Sequence, residues 1–238
     1  TPVSAQNYRM FIDHGKGARL YDVDGNEYID YCIGYGPAAL GSAYEELADS
    51  MIDLIKNQPT ISLFFTEDDL KLGKLIRENV PCAEKIKFSM TGTEAVQVAI
   101  RIARGYTGKS MILKFAECFH GWADNIFGGA YYPDVPGMPT MHVPKTDGCY
   151  TLGRGQLATQ ETLVIPYNDF DILEDTFKKY GHLLAICHFE AVPMNDYSIQ
   201  PKPGFLERIR ELCDEYNVVM SMDEVLTGFR VSPGGAQK

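Results

Sequence analysis

Three short segments carry residue types that could do chemistry. The first is Met90-Thr91-Gly92-Thr93-Glu94-Ala95, placed where a strand is expected to turn into a helix. Thr91 with Glu94 three residues on makes a capping box. A helix N-terminus offers free amides and a dipole that favours an anion. Gly92 allows close approach, and the Thr91 and Thr93 hydroxyls add donors. Two readings stand: a plain helix cap, or a cup for phosphate. The second segment is Cys118-Phe119-His120-Gly121-Trp122. An aromatic at a strand end followed by His and Gly could form a stacking platform for a flat ring. Alternatively, Phe119 and Trp122 are core and His120 is a satisfied structural histidine. The third is Met220-Ser221-Met222-Asp223-Glu224-Val225, with carboxylates directly after a buried strand. Open α/β sheets bind ligands at the carboxyl ends of their strands. A buried carboxylate needs a partner, and Glu190, ending another buried strand, raises the same question. The pair could bind a metal or take part in ion pairs within the fold.

These segments need elements to hold them. Ala18–Asp22 and Glu27–Ile33 flank Asp24-Gly25-Asn26, a hairpin turn. Helical periodicity follows over Tyr44–Lys56 and Glu67–Asn79, with Pro59 between them. Beyond that the pattern alternates. Strands are expected at Lys85–Met90, Met111–Phe115, Leu163–Pro166, Leu183–Val192 and Val218–Met222. Helices are expected at Glu94–Tyr106, Phe170–Tyr180 and Pro203–Tyr216. Such alternation predicts an α/β domain with a mainly parallel sheet. We expect an N-terminal segment of hairpin and helix over residues 1–57 and the main domain over 58–238. The stretch from about Gly128 to Gln160 exceeds usual loop lengths, and its aromatics and prolines favour an ordered functional loop.

Bulk properties exclude some classes. Asp plus Glu number 32 against 22 Lys plus Arg, for a formal charge of −10, so a general nucleic-acid binder is not expected. No apolar run reaches transmembrane length, and no membrane role is expected. The six cysteines form no C-x-x-C pair. Cys187 and Cys213 read as small core residues, and free thiols at that count fit the cytoplasm.

Taken together, the three segments suit pyridoxal 5'-phosphate, which has a phosphate, a flat ring and a ring nitrogen that works best protonated. The chain resembles the class III pyridoxal-phosphate-dependent aminotransferases. The likeness is carried in order by Tyr21-Asp22-Val23-Asp24-Gly25-Asn26-Glu27-Tyr28-Ile29-Asp30-Tyr31, Thr91-Gly92-Thr93-Glu94-Ala95, Phe119-His120-Gly121 and Asp223-Glu224-Val225-Leu226-Thr227-Gly228-Phe229-Arg230. Asp22–Pro37, Pro203–Glu215 and Gly234-Gly235-Ala236-Gln237 look most like the glutamate-1-semialdehyde aminomutase branch. The resemblance implies fold type I and a site shared across a homodimer. It implies that Thr91, Gly92 and Thr93 hold the phosphate, and that Phe119 and Val225 pack on opposite ring faces. His120 falls within the same cofactor site. Asp223 would pair with the ring nitrogen, Asn195 would bond the ring hydroxyl, Glu190 would support that network, and Tyr35 would stand near substrate.

The sequence departs from the family in places. Glu190-Ala191-Val192 stands where relatives read Glu-Pro-Val, and Thr91 where the aminomutases usually have Ser. Ser4 follows Thr1-Pro2-Val3, where the aminomutases carry an arginine that receives the substrate carboxylate. The resemblance also places the family's Schiff-base lysine beyond Lys238, so no catalytic lysine is expected within this stretch. The C-terminal domain would likewise lie outside it, possessed by a continuation or by a second chain. The expected activity is amino transfer between an amine or amino acid and a carbonyl compound. The alternatives are the aminomutase reaction itself and a fragment that binds cofactor or a partner without catalysis.

Overall fold

The computed structural model describes residues 10–57, 65–116, 118–127, 155, 158, 160–195 and 197–238. Most of the long Gly/Pro-containing stretch, and with it Cys149, lies outside the described residues. The chain divides into two compact units, residues 1–67 and 68–238.

The first unit is built on an antiparallel meander of β1 (Ile12–Lys16), β2 (Arg19–Asp22) and β3 (Glu27–Ile29), followed by helix α1 (Glu45–Asn57). One buried carboxylate organises its turn. Asp22 accepts from the amides of Asp24 (3.0 Å) and Asn26 (2.8 Å), from Asn26 Nδ2 and from the Tyr28 hydroxyl. Gly25, at φ 83°, takes the left-handed position such a turn requires. The conspicuous Asp22–Tyr28 motif is therefore a folded turn.

Among its described residues the second unit holds a four-stranded parallel sheet in the order β5-β4-β6-β7, from β4 (Met111–Phe115), β5 (Thr162–Ile165), β6 (Leu184–Glu190) and β7 (Val219–Asp223). Parallel strands need crossover helices, and both faces are covered. Helix α3 (Gly92–Thr107) lays Val96, Ile100 and Ala103 against Ile112, Ala185 and Ile186. Helices α4 (Phe170–Tyr180) and α5 (Phe205–Glu215) cover the other face, where Leu173, Phe177, Ile209 and Leu212 meet Leu113, Phe115, Cys187 and Phe189. Helix α2 (Glu67–Asn79) precedes them in the chain. Capping sets the ends: Asp169 accepts from the Ile172 amide at the start of α4, and Gly108 at φ 71° closes α3. Among the described residues, no helix is long and apolar enough to cross a membrane.

The strand expected at Lys85–Met90 is absent: the segment runs without regular structure. A strand exists only through a ladder with a neighbour, and this segment pairs with none of the sheet's four strands. Conversely, β1 was not anticipated, since Ile12–Lys16 buries no residue and so carries no alternation to read.

Candidate active site

Register builds the floor of the site. On the α3 side of the sheet, Ile112, Ile186 and Val219 are neighbours across β4, β6 and β7. Two residues further along each strand the same face presents Lys114, His188 and Ser221, again in register. One more step gives Glu190 beside Asp223. The face thus changes from apolar to polar toward the strands' carboxyl ends, where open α/β sheets place their ligands.

The loop after β4 folds over this row. The Phe119 amide donates to Glu190 Oε1 (2.8 Å), and the second carboxylate oxygen accepts from Met194 N (3.1 Å). His120 is buried, with Nδ1 2.9 Å from Asp223 Oδ2. His188 leans on it, ring centroids 4.1 Å apart, and keeps its own Nδ1 2.9 Å from Ser221 Oγ. Lys114, with no exposed surface, donates from below to the carbonyls of Cys118 (3.0 Å) and Ile126 (3.1 Å). Phe119 is 43% exposed and Trp122 60%, so neither is a core residue. They meet edge to face at 6.2 Å, and Trp122 stacks on Phe127 at 4.4 Å.

The helix N-terminus adjoins the same loop. Both halves of the capping box form: Thr91 Oγ1 accepts from the Glu94 amide, and the Glu94 carboxylate accepts from Met90 N and Thr91 N. The first backbone bond of α3 runs from Ala95 N to Thr91 O, so the amides of Gly92 and Thr93 precede the intrahelical ladder. Thr93 Oγ1 accepts from Trp122 N (3.2 Å). Gly121, at φ 96°, lies so close that a Cβ there would overlap Thr93. A Cβ on Gly92 would touch Val225 Cγ2 at 3.7 Å, an ordinary contact. The three chemistry-bearing segments therefore converge: the α3 start, the loop carrying Phe119 and His120, and the end of β7.

The electrostatics follow from burial and neighbours. Burial pushes the Glu190 carboxyl up to about 6, against the pull of its two amide donors. Burial also acts to raise Asp223, but the bonds and charge of His120 and His188 more than offset it, holding the carboxyl well below the usual range. His120 is driven down to about 3, by burial first, then by His188, with Lys114 acting in the same direction and Asp223 opposing. At neutral pH a neutral His120 therefore donates its Nδ1–H to an ionised Asp223. Asp223 Oδ1 meanwhile accepts from Val225 N (3.0 Å), which fixes the carboxylate from both sides.

Of the residues singled out in the sequence, Thr91, Gly92, Thr93, Phe119, His120, Glu190, Asp223 and Val225 belong to this convergence. Asn195 lies in an exposed turn after β6. Tyr35 belongs to the first unit, exposed and at φ 62°. Glu224 serves structure: it accepts from Thr227 Oγ1, Ala236 N and Gln237 Nε2 and so ties down the segment after β7. Sequence reasoning missed Lys114, His188 and Ser221. The first two were visible as lone polar residues inside apolar strands that are buried on both faces. His120, His188 and Asp223 also have the donor types of a metal centre, their atoms within 4.8 Å of one another. The Lys114 charge that reaches His120 opposes a second cation there.

This donor set fits a flat, phosphorylated, nitrogen-containing ring. Two amides and two hydroxyls stand at a helix N-terminus, an exposed aromatic stands at a strand end, and a carboxylate is held ionised between them. The class-III aminotransferase family profile matches residues 1–235. The chain is 40% identical, over 229 residues, to the glutamate-1-semialdehyde 2,1-aminomutase of Persephonella marina, covering 96% of this chain and 51% of that protein. It is 38% identical over 228 residues to the glutamate-1-semialdehyde 2,1-aminomutase 2 of Staphylococcus haemolyticus, with the same coverages. Among solved structures it is similar to an omega-transaminase from Sphaerobacter thermophilus, with a TM-score of 0.85, 30% identity, and coverage of 98% of this chain and 52% of that one. A transaminase with PLP bound gives a TM-score of 0.84 at 26% identity, with the same coverages. The chain spans about half the length of the curated relatives it matches.

Proposed function

From the premise that this chain belongs to the class III aminotransferase family and has its fold-type-I α/β large domain, we propose that it forms the cofactor-binding part of a pyridoxal-phosphate-dependent aminotransferase. The whole enzyme would move an amino group between an amine or amino acid and a carbonyl compound. When bound, the cofactor supplies an electron sink for the substrate carbon that loses a proton. The chain's own residues would hold it. Gly92 and Thr93 would offer their amides, and Thr91 and Thr93 their hydroxyls, to the phosphate. Phe119 and Val225 would confine the ring, and Asn195 would bond its hydroxyl. Asp223 would keep a proton on the ring nitrogen, because an adjacent anion favours the protonated form. Glu190 would fix the Phe119 amide, and His120 would orient Asp223.

The observation that carries this reading is Asp223: an ionised carboxylate at the carboxyl end of β7, fixed by His120 and by the Val225 amide. We test it by titrating pyridoxal phosphate into the parent chain and into Gly92→Asp. A carboxylate facing the phosphate would lower affinity by roughly tenfold or more, on the scale of like-charge repulsion at close range. Equal titration curves would leave the segment as a helix cap alone.

A second reading, the aminomutase reaction, is favoured by the names of the curated relatives. Spectral change of the full-length protein with glutamate-1-semialdehyde and no added amino donor separates it from transamination. We also read the enzyme as a cytoplasmic homodimer. Exposed free Cys32 and Cys82 suit a reducing compartment. Leu47, Met51, Ile52 and Ile55 give α1 an exposed apolar face that a second copy could cover.

A further inference from the structure

Lys114 stands apart from the other polar residues of the sheet. It is the penultimate residue of β4, flanked in register by Val164 and His188, with no exposed surface. Taking an ammonium out of water is costly unless it is well bonded. Its Nζ donates to the carbonyls of Cys118 and Ile126, the two ends of one loop. Everything that loop brings to the site lies between those carbonyls. The Phe119 amide meets Glu190, His120 meets Asp223, and the Trp122 amide meets Thr93.

We propose that Lys114 is a positioning residue for the cofactor site: its buried ammonium ties both ends of the 118–126 loop to β4 and so sets where Phe119 and His120 stand against Glu190 and Asp223. A second consequence follows from its charge. It lowers the neighbouring Glu190 carboxyl against the push of burial, and it acts with burial and His188 to keep His120 unprotonated. The inference rests on the cofactor reading above for its meaning in catalysis, but the loop's dependence on Lys114 can be read without cofactor.

The test is Lys114→Met, which keeps the stem and removes the charge and both donors. Trp122 is the single tryptophan of the chain and sits on the loop, so its signals report the loop alone. We expect acrylamide quenching of Trp122, already more than half exposed, to rise by roughly 1.3- to 1.5-fold, as for a locally opened segment, and the near-ultraviolet circular dichroism of its stack on Phe127 to fall. Pyridoxal phosphate affinity should drop by roughly tenfold, the usual scale for a lost supporting contact. Far-ultraviolet circular dichroism should stay that of the folded chain. A lysine needed only for stability predicts a lower unfolding temperature, with Trp122 signals and cofactor affinity unchanged while folded; that result overturns the proposal. If the single variant does not fold, Lys114→Met/Glu190→Gln is compared with Glu190→Gln, since removing one carboxylate restores the charge balance. Identical Trp122 quenching in those two chains likewise overturns it. Failure of the parent chain itself to bind pyridoxal phosphate would count against the proposed function, while the Trp122 comparison would still decide the role of Lys114.

Discussion

Two rows of side chains on the same face of the same three strands, two residues apart, have opposite characters. Ile112, Ile186 and Val219 pack against α3 in the manner of any α/β core. Lys114, His188 and Ser221 lie at equivalent sheet positions, yet they bury a charge and an imidazole whose Nε2 stands 3.7 Å from Asp223 Oδ2, beyond a good hydrogen bond. Unsatisfied buried groups weaken a fold. The first row stabilises the sheet. The second gives up stability to hold His120 and Asp223 in one arrangement. The floor of the candidate site thus begins where the apolar row ends, and the change takes a single strand repeat.

Breaking the apolar row should have the largest effect on folding and the least on the site. Ile186→Ala removes a fully buried side chain and should cost roughly 2–5 kcal/mol, the range for such truncations, measured by urea unfolding. Trp122 emission and cofactor affinity should stay near the parent's while the chain is folded. Loss of cofactor binding in that folded variant would show that the rows do not divide the work. The next largest effect is the converse. Asp223→Asn keeps size and polarity and loses the charge. In the full-length protein, turnover should fall by roughly 10²-fold or more, the scale for a lost electrostatic contact at a reacting centre, while the unfolding temperature falls modestly, because the single amide oxygen can accept from only one of Val225 N and His120 Nδ1. A variant that unfolds easily yet turns over at the parent rate would make Asp223 a structural ion-pair residue.

Much of this division was legible in the sequence, and the exceptions have physical causes. The bounds of α2, β4 and α4 follow from local periodicity and capping, which neighbours in sequence determine. The carboxylates Glu190 and Asp223 could be placed at strand ends because each closes an apolar run. Their adjacency could not be placed, because register is a non-local property. Lys114 and His188 were passed over for the same reason. Each is one polar residue within an apolar strand, and it acquires meaning only when the register aligns it with its counterpart. The absent strand at 85–90 is the same lesson reversed, a local pattern with no partner. Gly121 read as part of a ring platform, whereas its close approach to Thr93 shows that it joins the loop to α3.

The last comparison separates the two buried acid–base groups by sign. His120 has its folded pKa depressed from 6.5 to about 3. The unfolded chain therefore binds a proton in that window that the folded chain does not. Stability from this group is complete above about pH 6.5 and is lost as pH falls, by about 1.4 kcal/mol per pH unit. Glu190 has its folded pKa raised from 4.5 to about 6. Its contribution is complete below about pH 4.5 and is lost as pH rises through 6. Between pH 4.5 and 6 the two slopes oppose each other, so the parent chain should show a shallow profile there. His120→Asn keeps a donor for Asp223 and removes the titration. The stability difference between parent and His120→Asn should therefore grow with pH from 4 to 6.5 and then level off. The difference between parent and Glu190→Gln should change in the opposite direction between 4.5 and 6. Denaturant unfolding in a series of buffers from pH 4 to 7 measures both. A parent-minus-His120→Asn difference that is flat across that range would mean that His120 titrates alike in the folded and unfolded chains. The neutral imidazole assigned to Asp223 would then have to be abandoned.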